Sequence, residues 1–236
     1  MTPYQVKQLH LMRQMEERFT DDPHAASTVP MQLDYISDRQ MCLTVNSFIP
    51  DAIANRIQSM IIEPMRRVDP THYYYDNASL HITIHTVRTI HYPPTFTDNT
   101  IETSKSVLAR YIPKNRPFRF RLIGIMAIPT SVAVIAIASA RYNRFTHVLR
   151  RAFTAEGIPD EKKYFSPDVT FANVTVCRYT HMPSPEFLKT LTSLKTTPVG
   201  SVTVGEVALL ETNAGAHPSK TRIFATYPFP KTQARL

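Results

Sequence analysis

Two short segments carry residue types whose spacing suits chemistry on a phosphate. The first, His81-Ile82-Thr83-Ile84, lies in a β-branched run from Leu80 to Val87. On a strand, His81 and Thr83 share one face while Ile82 and Ile84 pack on the other. An imidazole beside a hydroxyl suits binding and protonation of a phosphate oxygen. His85 falls two positions further along the same face, either touching substrate on a cleft floor or serving as a hydrogen-bonded core histidine. The second segment, Asp168-Val169-Thr170-Phe171, repeats the polar–apolar alternation at the head of a run ending at Cys177. A surface strand with polar alternate positions has the same pattern, so alternation alone does not assign a role. A metal shared by His81, His85 and Asp168 fails on reach: four residues along a strand span roughly 13 Å, too far for both imidazoles to meet one ion.

The elements that would position these segments follow from periodicity. Val6, Leu9 and Met12 predict an amphipathic helix from Pro3 to about Phe19, with a linker running to Val29-Pro30. Met41 to Phe48 reads as a strand, and Asp51 as the N-cap of a helix through Ile53, Ile57, Met60 and Ile61. After the His81 strand, Ile101, Ser104, Leu108 and Tyr111 predict a helix that ends before Pro113. In the second half Phe118 to Leu122 and Val132 to Ala138 form a hairpin around Pro129-Thr130-Ser131. Phe145, Leu149, Ala152 and Phe153 give a helical stripe stopped by Gly157 and Pro159. A strand from Asp168 to Cys177 follows, and then a helix opened by Ser184-Pro185. Val202 to Leu210 and Arg222 to Tyr227 close the chain as a hairpin. Each half runs strand, helix, strand, which points to an internal duplication. The hairpins argue against an all-parallel sheet. Residues 1–33 read as a helical extension and linker that docks on the body or serves a partner, and residues 34–236 as one bilobal domain.

The chain has 236 residues, 43% of them hydrophobic and 19% charged, enough for a substantial core. Its net charge of +8 favours anionic partners such as RNA or nucleotides, unless it is only a solvated basic surface. Tyr73-Tyr74-Tyr75 and Arg119/Arg121 are open to the same two readings, as base-stacking and phosphate contacts or as an ordinary loop and strand face. Cys42 and Cys177 lack the number and spacing of a disulfide framework or metal site, and reduced, buried thiols are expected. The longest apolar stretch, Ile123 to Ala140, is interrupted by Gly124 and Pro129 and reads as a buried hairpin rather than a membrane span. No basic-then-apolar leader opens the sequence, so the cytoplasm is the expected location. Five glycines provide no phosphate-loop fingerprint, and no nucleophile-elbow motif occurs.

From about Met41 to Tyr227 the element order resembles that of the two-histidine (2H) phosphoesterase superfamily, which includes 2′,5′-RNA-ligase-like proteins and cyclic nucleotide phosphodiesterases. The stretches carrying the resemblance are Leu80-His81-Ile82-Thr83-Ile84-His85 and Phe165-Ser166-Pro167-Asp168-Val169-Thr170-Phe171-Ala172. The resemblance implies an α+β fold: two pseudo-equivalent lobes of antiparallel-rich sheet, flanked by helices, with a central cleft. It implies that His81 transfers a proton, that Thr83 and Thr170 hold the phosphate, and that Asp168 stands in the second histidine's place. It further implies an RNA or nucleotide substrate (RNA ends, 2′,3′-cyclic phosphates or 2′,5′ linkages) and no metal or other cofactor. Asp168 departs from the pattern. A carboxylate accepts a proton but donates one at neutral pH only if burial raises its pKa. At about 4 Å and an effective dielectric of about 20 it also repels a phosphate by roughly 4 kcal/mol, about a thousandfold in affinity. Two functions therefore stay open: a phosphodiesterase with a degenerate second motif, or an inactive RNA- or nucleotide-binding module on the same fold.

Overall fold

A computed structural model describes residues 1–230. Helix α1 (Pro3–Asp21) opens with a capping box between Thr2 and Gln5 and buries Gln8, Met12, Met15 and Phe19 on one face. Strand β1 (Met41–Phe48) leads into α2 (Asp51–Ile57), a π-helical turn over Gln58–Ile62 and α3 (Glu63–Val68). Asp51 is the first helical residue rather than the cap; Pro50 occupies the cap position and makes no side-chain bond there. The short strand β2 (Tyr73–Tyr74) precedes β3 (His81–His91) and α4 (Asp98–Tyr111), the latter capped by Thr97. The second half holds β4 (Phe118–Ile128), β5 (Ser131–Ile137), α5 (Ala140–Ala155), β6 (Ala172–Arg178) and α6 (Pro185–Leu194). It closes with β7 (Pro198–Val204), β8 (Glu206–Thr212) and β9 (Arg222–Pro228).

The strands form two sheets with every pairing antiparallel, ordered β3-β1-β8-β9 and β2-β6-β5-β4-β7. The architecture is therefore α+β, with two antiparallel sheets, flanking helices and a cleft between the sheets. The lobes do not divide the chain at its midpoint. The first sheet combines β1 and β3 with the last two strands, and the second sheet recruits β2 from the first half. The apolar run Val202 to Leu210, expected as a single strand, breaks at Gly205: β7 joins β4 in the second sheet and β8 joins β1 in the first.

The main core alternates with polar cleft residues along the central strands. Leu43, Val45 and Ile82 point into it, as do Val132, Val134, Val174 and Val176. The opposite face of the second sheet carries Ala133, Ile135 and Ile137, which pack with Met126 beneath Met12, Met15 and Phe19 of α1. Polar clamps reinforce this contact. Arg13 donates to the carbonyls of Ile125 (2.8 Å) and Lys195 (2.7 Å), and Glu16 accepts from the Ala127 amide (2.8 Å). The N-terminal helix is thus docked on the body. Among the described residues no helix is long and apolar enough to cross a membrane, and Cys42 and Cys177 are not disulfide-bonded.

Candidate active-site cleft

Between the sheets lies a cavity of about 250 Å³. The first sheet lines it with Thr44 and Asn46 of β1 and with His81, Thr83 and Thr86 of β3; the second lines it with Asn173, Thr175 and Arg178 of β6. Ser27, Thr28 and Val29 of the segment after α1 also reach the wall, where Val29 accepts a bond from the Thr130 hydroxyl (2.6 Å).

His81 is set by the turn that precedes its strand. Asp76 caps a 3-10 turn over Asn77–Ser79. The turn leaves the Ser79 carbonyl 2.7 Å from His81 Nδ1. A carbonyl only accepts, so Nδ1 carries the proton and the neutral ring keeps its lone pair on Nε2. Burial pushes the His81 imidazole below its ordinary pKa; the Ser79 carbonyl opposes this, and the Arg178 charge adds to it. The neutral form suits a proton acceptor.

Thr83 shares the His81 face, but His85 does not. In the β1–β3 ladder Val45 faces His85 while Asn46 faces Thr83, so β3 carries an extra residue, a β-bulge. The bulge reverses the alternation. His85 turns away from the cavity, is buried, and stacks on Phe153 of α5 with ring centroids 4.6 Å apart. Thr86 takes the cleft-facing position instead. The Thr44 hydroxyl donates to the His85 carbonyl across the irregularity (3.1 Å). Burial lowers the His85 pKa to about 4; Asp160 raises it, while Arg150 and Lys162 lower it further.

The second strand begins later than its sequence suggests. Asp168, Val169 and Thr170 precede β6, which starts at Ala172. Asn143 of α5 captures this stretch: its Oδ1 accepts from the Thr170 amide (2.7 Å) and its Nδ2 donates to the Asp168 carbonyl (2.8 Å). These bonds occupy groups that a strand ladder would need. Asp168 is exposed and does not line the cavity. Thr170 is buried, shares a hydrogen bond with the Thr146 hydroxyl (2.7 Å), and accepts at its carbonyl from Gln8 of α1 (2.7 Å). Neither residue meets His81 in the cavity.

The positions facing His81 and Thr83 are Asn173 and Thr175. They share one face of β6, and Asn173 Nδ2 lies 3.4 Å from Thr175 Oγ1. Ala172-Asn173-Val174-Thr175-Val176 has the same polar-x-Thr-apolar form as His81-Ile82-Thr83-Ile84, shifted five residues from the segment singled out in the sequence. That pattern was the available signal. Arg178 gave none, because its role depends on what surrounds it. Its Nε donates to the Tyr75 hydroxyl (2.9 Å) and the Ala214 carbonyl, to which Tyr75 also donates (2.6 Å). The guanidinium is thereby held at the cavity wall, and its two terminal nitrogens make no hydrogen bond to any described residue. Lys162 adds a second basic side chain. One imidazole, several threonine hydroxyls and two basic side chains make a site that can bind an anion and accept one proton. Asn173 can donate a hydrogen bond but cannot exchange a proton. Of the other sequence candidates, Tyr75 reaches the cleft, whereas Arg119 and Arg121 are exposed on β4 away from it.

The chain has the fold of the LigT-like phosphoesterases. A protein of Thermus thermophilus superposes with a TM-score of 0.55 at 16% identity, covering 80% of this chain and 97% of its own. A structure described as a phosphoesterase gives 0.53 at 13%, covering 81% and 99%. LigT of E. coli complexed with ATP gives 0.52 at 12%, covering 82% and 100%. At these identities the likeness is one of fold. No protein-family model matches the chain, and no curated protein matches its sequence.

Proposed function

We propose that the cleft is a metal-independent phosphodiesterase site acting on RNA ends, 2′,3′-cyclic phosphates or 2′,5′ linkages, with a degenerate second half. The observation carrying this reading is the juxtaposition of His81-x-Thr83 and Asn173-x-Thr175 from two sheets across one cavity, with Arg178 beside them. Thr83 and Thr175 donate to the non-bridging phosphate oxygens, and Arg178 offsets their charge. His81 Nε2 removes the proton from the attacking water or hydroxyl. Asn173, in the place where a second imidazole would return a proton to the leaving oxygen, only hydrogen-bonds it. The leaving group must then take its proton from solvent or from the His81 imidazolium, which makes turnover slow. The fold shared with phosphoesterases, among them LigT complexed with ATP, supports a nucleotide-type ligand.

A second reading, an inactive RNA- or nucleotide-binding module, is favoured by Asn173 itself. His81 is the one histidine among the described residues lining the cavity. Incubation with a 2′,3′-cyclic nucleotide and a 2′,5′-linked dinucleotide, without metal and across the neutral range, separates the two. Turnover abolished in His81→Ala and raised in Asn173→His supports the enzyme. Binding without turnover, with activity gained only in Asn173→His, supports the module. Neither binding nor turnover in any of the three proteins refutes both.

A further inference from the structure

Away from the cleft, Asp69, His72 and His181 converge where three elements meet. Asp69 follows α3, His72 precedes β2, and His181 lies just beyond β6. One ligand atom from each residue lies within 4.8 Å of the others. None of the three lines the cleft. We propose that they form a binding site for a divalent transition-metal ion, zinc by ligand type.

The geometry sets this apart from an ordinary Asp–His pair. Asp69 Oδ2 is 3.0 Å from His181 Nε2, a satisfied hydrogen bond. The same oxygen is 3.6 Å from His72 Nε2, too far for one. His72 is 4% exposed, and its Nε2 is buried with no hydrogen-bond partner. A buried nitrogen left unpaired toward a carboxylate needs an explanation. A proton between Asp69 and His181 leaves it stranded, whereas an ion at the centre uses all three ligands. With zinc–ligand bonds of about 2.0–2.2 Å, tetrahedral ligands stand about 3.4 Å apart. The two edges from Asp69, 3.0 and 3.6 Å, bracket that value, and the His72–His181 edge lies within 4.8 Å.

The surroundings hold the ligands in place. Asp69 Oδ1 accepts from the amide (3.0 Å) and hydroxyl (2.6 Å) of Thr71, leaving Oδ2 free to turn inward. Thr180 frames the other nitrogen of each ring. Its hydroxyl is 3.0 Å from His181 Nδ1 and 3.5 Å from His72 Nδ1. Its amide donates to His72 Nδ1 (3.4 Å), so without an ion that ring carries its proton on Nε2; an ion bound there requires the other tautomer, with Nδ1–H donating to the Thr180 hydroxyl. Such outer contacts orient metal-bound imidazoles. The two rings stack at 4.4 Å, and Phe187 of α6 meets His72 edge-on at 4.9 Å. The His181 side chain is about half exposed, so the fourth coordination position faces water. The ion would pin the two-residue strand β2 to β6, a pairing of only Tyr73 with Arg178 and Tyr74 with Cys177.

The test is titration of chelator-treated full-length protein with Co2+, whose tetrahedral complexes absorb in the visible, followed by displacement with Zn2+. One equivalent bound with a tetrahedral spectrum is expected. Asp69→Asn and His181→Ala should each weaken binding by more than the roughly 10- to 100-fold that an outer contact is worth. His217→Ala should bind as the wild type does. Circular dichroism without metal shows whether each variant is folded, and Asp69→Asn serves if His181→Ala is not. An absent or octahedral spectrum, or equal affinity in the folded variants and wild type, overturns the proposal. Cleft turnover should be unaffected by chelator, so the result is independent of the phosphodiesterase reading.

Discussion

The bulge in β3 makes a quantitative prediction through His85. In the folded chain its pKa is about 4, against roughly 6.5 for an unfolded histidine. The folded state therefore resists a proton that the unfolded state accepts. Stability is fully present above the unfolded pKa and falls as the pH drops toward the folded one. The gap of roughly 2.5 pH units corresponds to about 3 kcal/mol in total, of which about 2 kcal/mol is lost between pH 7 and pH 5. His85→Phe keeps an aromatic ring against Phe153 and removes the proton site. Urea unfolding of both proteins at pH 7 and pH 5 provides the comparison. Other groups with shifted pKa values, such as His72 and Asp69, are present in both and cancel. The wild type should lose about 2 kcal/mol more than the variant over this interval. Equal losses would refute the burial of His85 behind the bulge.

Thr175→Val removes a donor to an anionic ligand and should weaken phosphate-ester binding roughly 10- to 100-fold by calorimetry, whereas Thr170→Val should leave binding unchanged. Gln8→Leu strips partners from the Thr170 carbonyl and the Ala138 amide; a loss of about 2–4 kcal/mol in urea unfolding is expected. Gly124 sits at φ +59°, where a Cβ would fall 1.9 Å from the Lys195 carbonyl oxygen. Gly124→Ala should therefore cost clearly more in unfolding free energy than the roughly 1–2 kcal/mol of Gly157→Ala, which meets only left-handed strain.

What could be read from the sequence was local. The β-branched run around Ile82 and Ile84 predicted β3, and its polar alternation predicted that His81 and Thr83 share a face. The helices through Met12, Leu108 and Phe145 followed from their periodicity in the same way. The failures all involve distant partners. The bulge exists because Asn46 and Val45 meet residues 83 and 85, a property of pairing that β3 does not encode alone. Asp168 and Thr170 alternate as a strand would, but the Asn143 side chain takes their backbone groups first. The polar pair that lines the cavity opposite His81, Asn173 and Thr175, therefore lies five residues beyond the segment singled out in the sequence. Gly205 looked like a strand interior because strand-forming residues lie on both sides of it, although they serve different sheets.

The docking of the N-terminal helix has a consequence for synthesis of the chain. Arg13 bonds a carbonyl 112 residues downstream. At about 5–20 residues per second, α1 leaves the ribosome roughly 5 to 20 seconds before the strand it covers. Met12, Met15 and Phe19 must wait through that interval with no core to enter. One edge of β1 waits longer: β3 covers the other edge early, but its Cys42 end meets Thr212, 170 residues on. The nascent chain therefore presents an amphipathic helix and an open strand edge of β1 together. Those two surfaces are where a chaperone would engage it, and where aggregation would begin without one.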